Sequence, residues 1–299
     1  MGKRVLYLEL ESKVKLGEFY KELRLARKVK QKDVAKGKLS KSQLSKFESG
    51  QSMLSADRMI SAIEGINLTF AEFGHVLNGY RLTDYEELMK HIMTLLTNED
   101  KGGLEALLER YLNQGDSVYL RLNSLVIKNA MHSLDREYTF NRTDGNFLAE
   151  YLFSIEDWTS YDLHIFGNTL PILSDTDLIF LGKELVSRSK VYLPLTSYRK
   201  LLKFTYLNII SEMFERKQLT HVQFFITELE SLLDVFDTFE MILLNFLKLT
   251  YSYLYKGTQK ERVEIYIENI KRLNLDSLAD LLTKRLFQYE QAFIRREEK

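Results

Sequence analysis

Cysteine is missing altogether, and only two prolines interrupt the 299 residues. Without cysteine there is no disulfide framework, no thiolate metal site and no thiol nucleophile, and the composition fits a reducing cytoplasm. With so few prolines and 14 glycines, long helices run almost unbroken. No apolar stretch reaches the about 18 residues that a membrane-spanning helix needs. The start of the chain lacks the basic-then-apolar pattern of a secretion signal. The protein is therefore expected in the cytoplasm, away from membranes. The five histidines, His75, His91, His132, His164 and His221, lie far apart and without ligand spacing, so no metal site is expected. A phosphate-binding loop, a dinucleotide fingerprint, a nucleophile elbow and a His-Glu-x-x-His motif are all absent. Neither a cofactor nor an enzymatic activity is expected.

What is present is an ordinary globular composition, 45% hydrophobic and 28% charged, in a length that suits two domains. The net charge is zero, but it is unevenly spread. Residues 1–80 hold 15 Lys+Arg against 9 Asp+Glu, and residues 81–299 hold 27 against 33. A head of +6 on a body of −6 points to a polyanionic partner at one end. A solvated lysine-rich surface has the same composition, so charge alone leaves both readings open.

Leu16, Phe19, Tyr20, Leu23 and Ala26 follow the i, i+3, i+4, i+7 spacing of a helix with one buried face. A short helix opens at Gln31, turns Val34 and Ala35 inward and ends at Gly37. Ser40 and Gln43 form a capping box, in which each side chain satisfies a free backbone N–H of the other. The helix they open buries Leu44 and Phe47 and stops at Gly50. Met59, Ile60 and Ile63 belong to a fourth helix, and the box Thr69–Glu72 opens a fifth that ends near Asn78-Gly79. Five short helices with a tight turn between the second and third is the plan of phage-repressor helix-turn-helix domains.

The run Leu23-Arg24, Gln31, Asp33-Val34-Ala35, Ser40, Gln43-Leu44-Ser45 and Phe47-Glu48-Ser49-Gly50 resembles the repressor pattern, closed by Val76-Leu77-Asn78-Gly79. More narrowly, Ser42-Gln43-Leu44-Ser45-Lys46-Phe47-Glu48-Ser49-Gly50 resembles the Rgg-type regulators of streptococci and their relatives. Trp158-Thr159-Ser160-Tyr161-Asp162-Leu163 is similar to that family's C-terminal domain. The resemblance covers essentially the whole chain and implies a homodimer that binds short hydrophobic signalling peptides on a concave helical surface.

The third helix reads DNA in this plan. Its N-terminal residues Lys41 and Ser42, with Lys46 a turn later, are the candidates for the major groove, and lysine can donate to guanine O6 and N7. Ser40 and Gln31 stand at helix N-termini, where free amides attract phosphate. Lys32, Lys36 and Lys38 add sequence-independent attraction. The segment between Ala35 and Leu44 is one residue shorter than in phage repressors, which shifts the reading positions by about one. Arg24 and Glu48 fall where repressors place an internal ion pair and are read as structural.

From the capping box Thr83–Glu86 onward the chain reads as helices near 84–96, 103–113, 117–131, 145–153, 157–169, 177–189, 195–217, 221–235, 237–255, 259–273 and 276–296, with no strand alternation. The expected fold is all-α: a five-helix head over 1–80, a linker near Gly79–Thr83, and a tetratricopeptide-like repeat over 81–299. Asn129, Asn168, Asn208 and Asn245 recur at 39, 40 and 37 residues in the first helices of successive pairs, close to a solenoid period. First helices line the concave face, and asparagine can both donate to and accept from a peptide backbone. The four are therefore candidates for a peptide clamp, against the alternative that they cap, kink or sit on the surface. Tyr, Phe, Leu and Ile would line the cleft, and an acidic group on the peptide would meet an arginine that the sequence does not place. The expected function is a DNA-binding regulator controlled by a peptide. The alternatives are a helical-repeat scaffold for a protein partner and a repressor without a peptide ligand.

Overall fold

A computed structural model describes residues 13–79 and 82–294, and every regular element among them is helical. Two residues of the linker read from the sequence, Tyr80 and Arg81, lie outside the described residues, as do the last two positions of the helix read to 296. The chain divides into two compact units, Met1–His91 and Ile92–Lys299. The division falls inside helix α6 (Asp84–Thr97), further along than the boundary at 80. α6 itself starts at the box read from the sequence: the Thr83 N–H donates to Glu86 at 2.8 Å and the Glu86 N–H donates back at 3.3 Å.

The first unit holds α1 (Lys13–Ala26), α2 (Gln31–Val34), α3 (Lys41–Glu48), α4 (Ala56–Glu64) and α5 (Phe70–Leu77). Its core is Tyr20, Leu39, Leu44, Phe47, Ala62, Ile63 and Ile66, each essentially without solvent exposure. The Tyr20 hydroxyl satisfies itself by donating to the Ala62 carbonyl at 2.8 Å. Burial pushes the Tyr20 pKa up, so the phenol stays a donor. α1 and α3 pack backbone to backbone, because a Cβ on Gly17 would sit 1.8 Å from the Phe47 carbonyl oxygen. The α2–α3 turn passes through Gly37 at φ +61°, a left-handed conformation that glycine adopts at no steric cost. Both expected boxes form: Gln43 and Ser40 cap α3, and Glu72 and Thr69 cap α5.

The second unit continues with α7 (Lys101–Leu112), α8 (Val118–Leu134), α9 (Arg142–Ser154), α10 (Ser160–Gly167), α11 (Asp175–Ser189), α12 (Thr196–Glu215), α13 (Leu219–Leu232), α14 (Thr238–Lys256), α15 (Glu261–Arg272) and α16 (Asp276–Ile294). The periodicity read from the sequence gives all of these, within a few residues at each end. α8, α10, α12 and α14 pack in order as one layer, and α9, α11 and α13 as another. α10 ends at Gly167, two residues short of the expected 169, and a 3-10 turn containing Pro171 follows at Leu170–Ile172. α16 closes the array by packing on α12, α14 and α15. Trp158 is core, edge-on to Phe166 at 5.0 Å, and its carbonyl accepts the buried Tyr198 hydroxyl at 2.6 Å.

Candidate nucleic-acid interface and ligand cavity

In the head, α3 is short, and its position depends on one buried ion pair. Arg24 Nε lies 2.6 Å from Glu48 Oε1 and Nη2 lies 2.7 Å from Oε2, a fork-on-fork contact. The third corner of the guanidinium, Nη1, donates to the Val29 carbonyl at 2.7 Å. Glu48 is 2% exposed and Arg24 6%. The hydrogen bonds that Arg24 donates to Glu48 hold its guanidinium above its ordinary pKa, so it stays protonated. This joins α1 to α3 and, through Val29, to the turn before α2.

Gln31 is part of the same network. Its Nε2 donates to Glu48 Oε2 at 2.8 Å, which ties the start of α2 to the end of α3. Its side-chain donor is thus used inside the protein, a role that sequence reasoning missed. Lys32, Lys36, Lys38, Ser40, Lys41, Ser42 and Lys46 are all exposed. They stand on α2, the turn and α3, with no acidic residue among the exposed positions of α3. The Ser40 hydroxyl accepts the Gln43 N–H at 3.2 Å, so it is a cap in the free protein.

In the repeat unit, three of the four asparagines meet. Asn129, Asn168 and Asn208 line one cavity of about 340 Å³ with Arg136, Glu212, Glu215, Lys284, Arg285 and others. Their geometry is that of a staple between first-layer helices. Asn129 Nδ2 donates to the Asn168 carbonyl at 2.8 Å, and Asn208 Nδ2 donates to the Gly167 carbonyl at 3.2 Å. Asn168 caps the end of α10 and donates back to the His164 carbonyl. Two of these bonds satisfy carbonyls that a helix C-terminus leaves open. The Asn129 Oδ1 is buried and accepts no hydrogen bond.

Asn245 does not join them. It is exposed on α14 and lies outside the cavity lining, on the side of Tyr266, whose hydroxyl donates to the Ile242 carbonyl at 3.0 Å. The expected aromatic lining is also corrected. The apolar residues at this cavity are Leu170, Pro171 and Leu281, with no Tyr or Phe. Phe214 of α12 and Tyr289 of α16 turn into the core instead, with ring centroids 5.0 Å apart and tilted by 31°, and the Tyr289 hydroxyl donates to Ser211 at 2.7 Å. Apolar and aromatic surface lies in an adjoining cavity of about 740 Å³, whose lining includes His132, Tyr138, Phe140, Ile172 and Leu173. The two cavities share Arg136, Pro171, Glu212 and Glu215.

Sequence reasoning missed the cavity's ionic groups. Arg136 and Glu215 are 79 residues apart, and Arg285 and Glu215 are 70 apart. No short-range pattern links them. Glu212, one turn before Glu215, has its pKa raised by burial, although Arg216 Nε lies 2.6 Å away and opposes the shift.

A capped helix-turn-helix head with a basic recognition surface, joined to a two-layered helical repeat that encloses a polar cavity, defines a transcription regulator. The model of the HTH-type transcriptional regulator Rgg C-terminal domain matches residues 104–284, and a helix-turn-helix model matches 21–73. The chain belongs to the Rgg family, which is a family of regulators and not of enzymes. Among solved structures it is similar to the SHP pheromone receptor Rgg2 of Streptococcus dysgalactiae, with 23% identity, 91% of this chain and 99% of that one covered, and a TM-score of 0.74. It is also similar to PrgX in complex with cCF10, with 17% identity, 93% of each chain covered and a TM-score of 0.66. These likenesses show the shared fold. Among the described residues, no helix is long and apolar enough to cross a membrane.

Proposed function

We propose that the protein is a cytoplasmic, homodimeric regulator that binds promoter DNA through α3 and is controlled by a short hydrophobic peptide held in the repeat unit. The observation that carries the peptide reading is the single cavity lined by Asn129, Asn168 and Asn208, with its buried, unpaired Asn129 oxygen. That oxygen suits a peptide N–H, and the apolar side chains of the peptide suit the adjoining surface of Tyr138, Phe140, Ile172 and Leu173. Two solved structures support the same reading, since one is described as a pheromone receptor and another as a bacterial peptide pheromone/receptor complex.

For DNA, Lys41, Ser42 and Lys46 reach base edges, while Lys32, Lys38 and Ser40 stand at phosphates and Gln31, its side chain held by Glu48, braces the start of α2. The exposed lysines around a capped, well-anchored α3 support this assignment. A peptide can change transcription only by binding two conformations of the dimer unequally. A mobility-shift assay on the gene's own upstream DNA, with and without a candidate peptide, tests both halves. Lys41→Ala and Lys46→Ala should each lose about 1–3 kcal/mol of operator affinity if they contact bases. Wild-type affinity in both variants would remove α3 from the interface.

A further inference from the structure

Glu215 bridges two arginines of the polar cavity, Arg136 and Arg285. Glu212, the other acidic residue of the lining, is engaged by Arg216, which is not part of that lining. The same lining also holds Lys284. Arg136 meets Glu215 with two nitrogens, Nη1 at 2.9 Å from Oε2 and Nη2 at 3.2 Å from Oε1. Arg285 holds it loosely, Nη1 lying 3.5 Å from Oε1 and 3.4 Å from the Gln288 side-chain oxygen. The lining thus carries three cations against two carboxylates, a net positive charge that favours an anionic ligand.

We infer that this cavity is a carboxylate-exchange site: Glu215 is a built-in occupant that a carboxylate of the ligand displaces from Arg136 and Arg285. This rests on the peptide reading above and names the chemical group by which the ligand is chosen. Several features make the exchange possible. The side chains of Arg136 and Arg285 are 45% and 42% exposed, so neither is stranded while Glu215 swings away. An arginine fork binds any carboxylate with the same two-point geometry, so one anion replaces another without remodelling the site. Arg136, Pro171, Glu212 and Glu215 line both cavities, so the bridge stands on their common border. Moving Glu215 aside joins the polar cavity to the apolar one. The unpaired Asn129 oxygen then accepts an N–H from the same ligand. Either a peptide's C-terminal carboxylate or an Asp or Glu side chain supplies the group.

The test uses the full chain and its Glu215→Gln variant, which keeps size and removes the charge. The probes for calorimetry are N-acetyl-leucine, which carries a carboxylate, and N-acetyl-leucinamide, which does not. N-acetyl-leucine should bind Glu215→Gln about fivefold more tightly than wild type, the factor for one partly exposed ion pair. Arg136→Gln should abolish that gain, and the amide should be indifferent to all three forms. Equal behaviour of acid and amide, a gain for both, or no detectable acid binding to Glu215→Gln would overturn the proposal. A labelled peptide of Leu, Ile, Val and Gly then separates the sources. It is prepared as C-terminal acid and amide, each with one internal Asp or Asn, and the form that loses affinity on Arg136→Gln identifies the carboxylate. If no peptide binds while N-acetyl-leucine still responds to Glu215→Gln, carboxylate exchange stands and the peptide reading falls. Trp158 fluorescence verifies that each variant is folded.

Discussion

Replacing Arg24 by methionine should cost the head far more than replacing both Arg24 and Glu48. In the native state the Glu48 carboxylate is 2% exposed and accepts three charge-assisted or amide hydrogen bonds, two from Arg24 and one from Gln31. Arg24→Met removes two of the three and leaves the Val29 carbonyl without the Nη1 donor. A buried carboxylate with one remaining donor is destabilising by about 3–5 kcal/mol. That is a large share of the about 5–15 kcal/mol that holds a domain folded. Methionine fills much the same volume as the arginine stem, so the loss is electrostatic and not a cavity effect. Adding Glu48→Met removes the stranded charge and should restore all but about 1 kcal/mol. Urea unfolding of the full chain followed by far-ultraviolet circular dichroism measures the change from the midpoint, at constant slope. Trp158 is the only tryptophan and lies in the repeat unit, so its fluorescence reports that unit alone. Single and double variants of equal stability would refute the reasoning, because the coupling energy of the cycle would then be absent.

Gly17→Ala should destabilise the head by about 1–3 kcal/mol or more, because the new methyl meets the Phe47 carbonyl at 1.8 Å and only a shift of α1 against α3 relieves it. Circular dichroism melting checks this, and an unchanged transition would mean that the two helices are not held at that distance. Glu72 has its carboxyl held below the ordinary carboxylate range by the Thr69 N–H and hydroxyl. A lowered folded-state pKa contributes stability above the unfolded value and loses it as pH falls through the folded one. Glu72→Gln should therefore flatten the acid limb of the head's stability profile, and an identical slope would exclude that contribution.

The helices were legible in the sequence because their signals are local. The capping boxes at Ser40, Thr69 and Thr83 give three helix starts, and each forms as read. The spacing of Phe19, Tyr20, Leu44 and Phe47 gives the core of the head. Asn129, Asn168 and Asn208 were found through their period, since equal steps in a repeat bring side chains to the same face. What could not be read is long-range. The ionic bridge of Arg136, Glu215 and Arg285 draws on the α8–α9 loop, α12 and α16. No propensity or spacing joins those segments, because their meeting depends on how far the array curves and where α16 packs. The role of Gln31 escaped for a related reason: a helix N-terminus suggests phosphate, whereas the neighbouring buried Glu48 takes the side-chain donor first. Asn245 follows the period, but α14 presents it to Tyr266 of α15 instead of the cavity.

That exception supplies a sharp comparison. If periodicity alone decided the site, Asn245→Ala should weaken peptide binding as much as its three counterparts do. The geometry requires otherwise. Asn245 lies outside the cavity lining, so Asn245→Ala should leave peptide affinity unchanged. Asn129→Ala should lower it, since the buried Oδ1 that would take a peptide N–H disappears. One hydrogen bond contributes about 0.5–1.5 kcal/mol net, a loss of about two- to twelvefold in affinity. The same substitution also opens the bond to the Asn168 carbonyl and should lower the repeat unit's stability by a similar amount, read from Trp158 fluorescence. Asn208→Ala breaks a longer and more exposed bond and should cost less. Fluorescence polarisation with a labelled hydrophobic peptide makes the measurement, at protein concentrations where each variant is folded. Equal losses at Asn129 and Asn245 would place the ligand along the whole first layer and away from the cavity between α8, α10, α12 and α16.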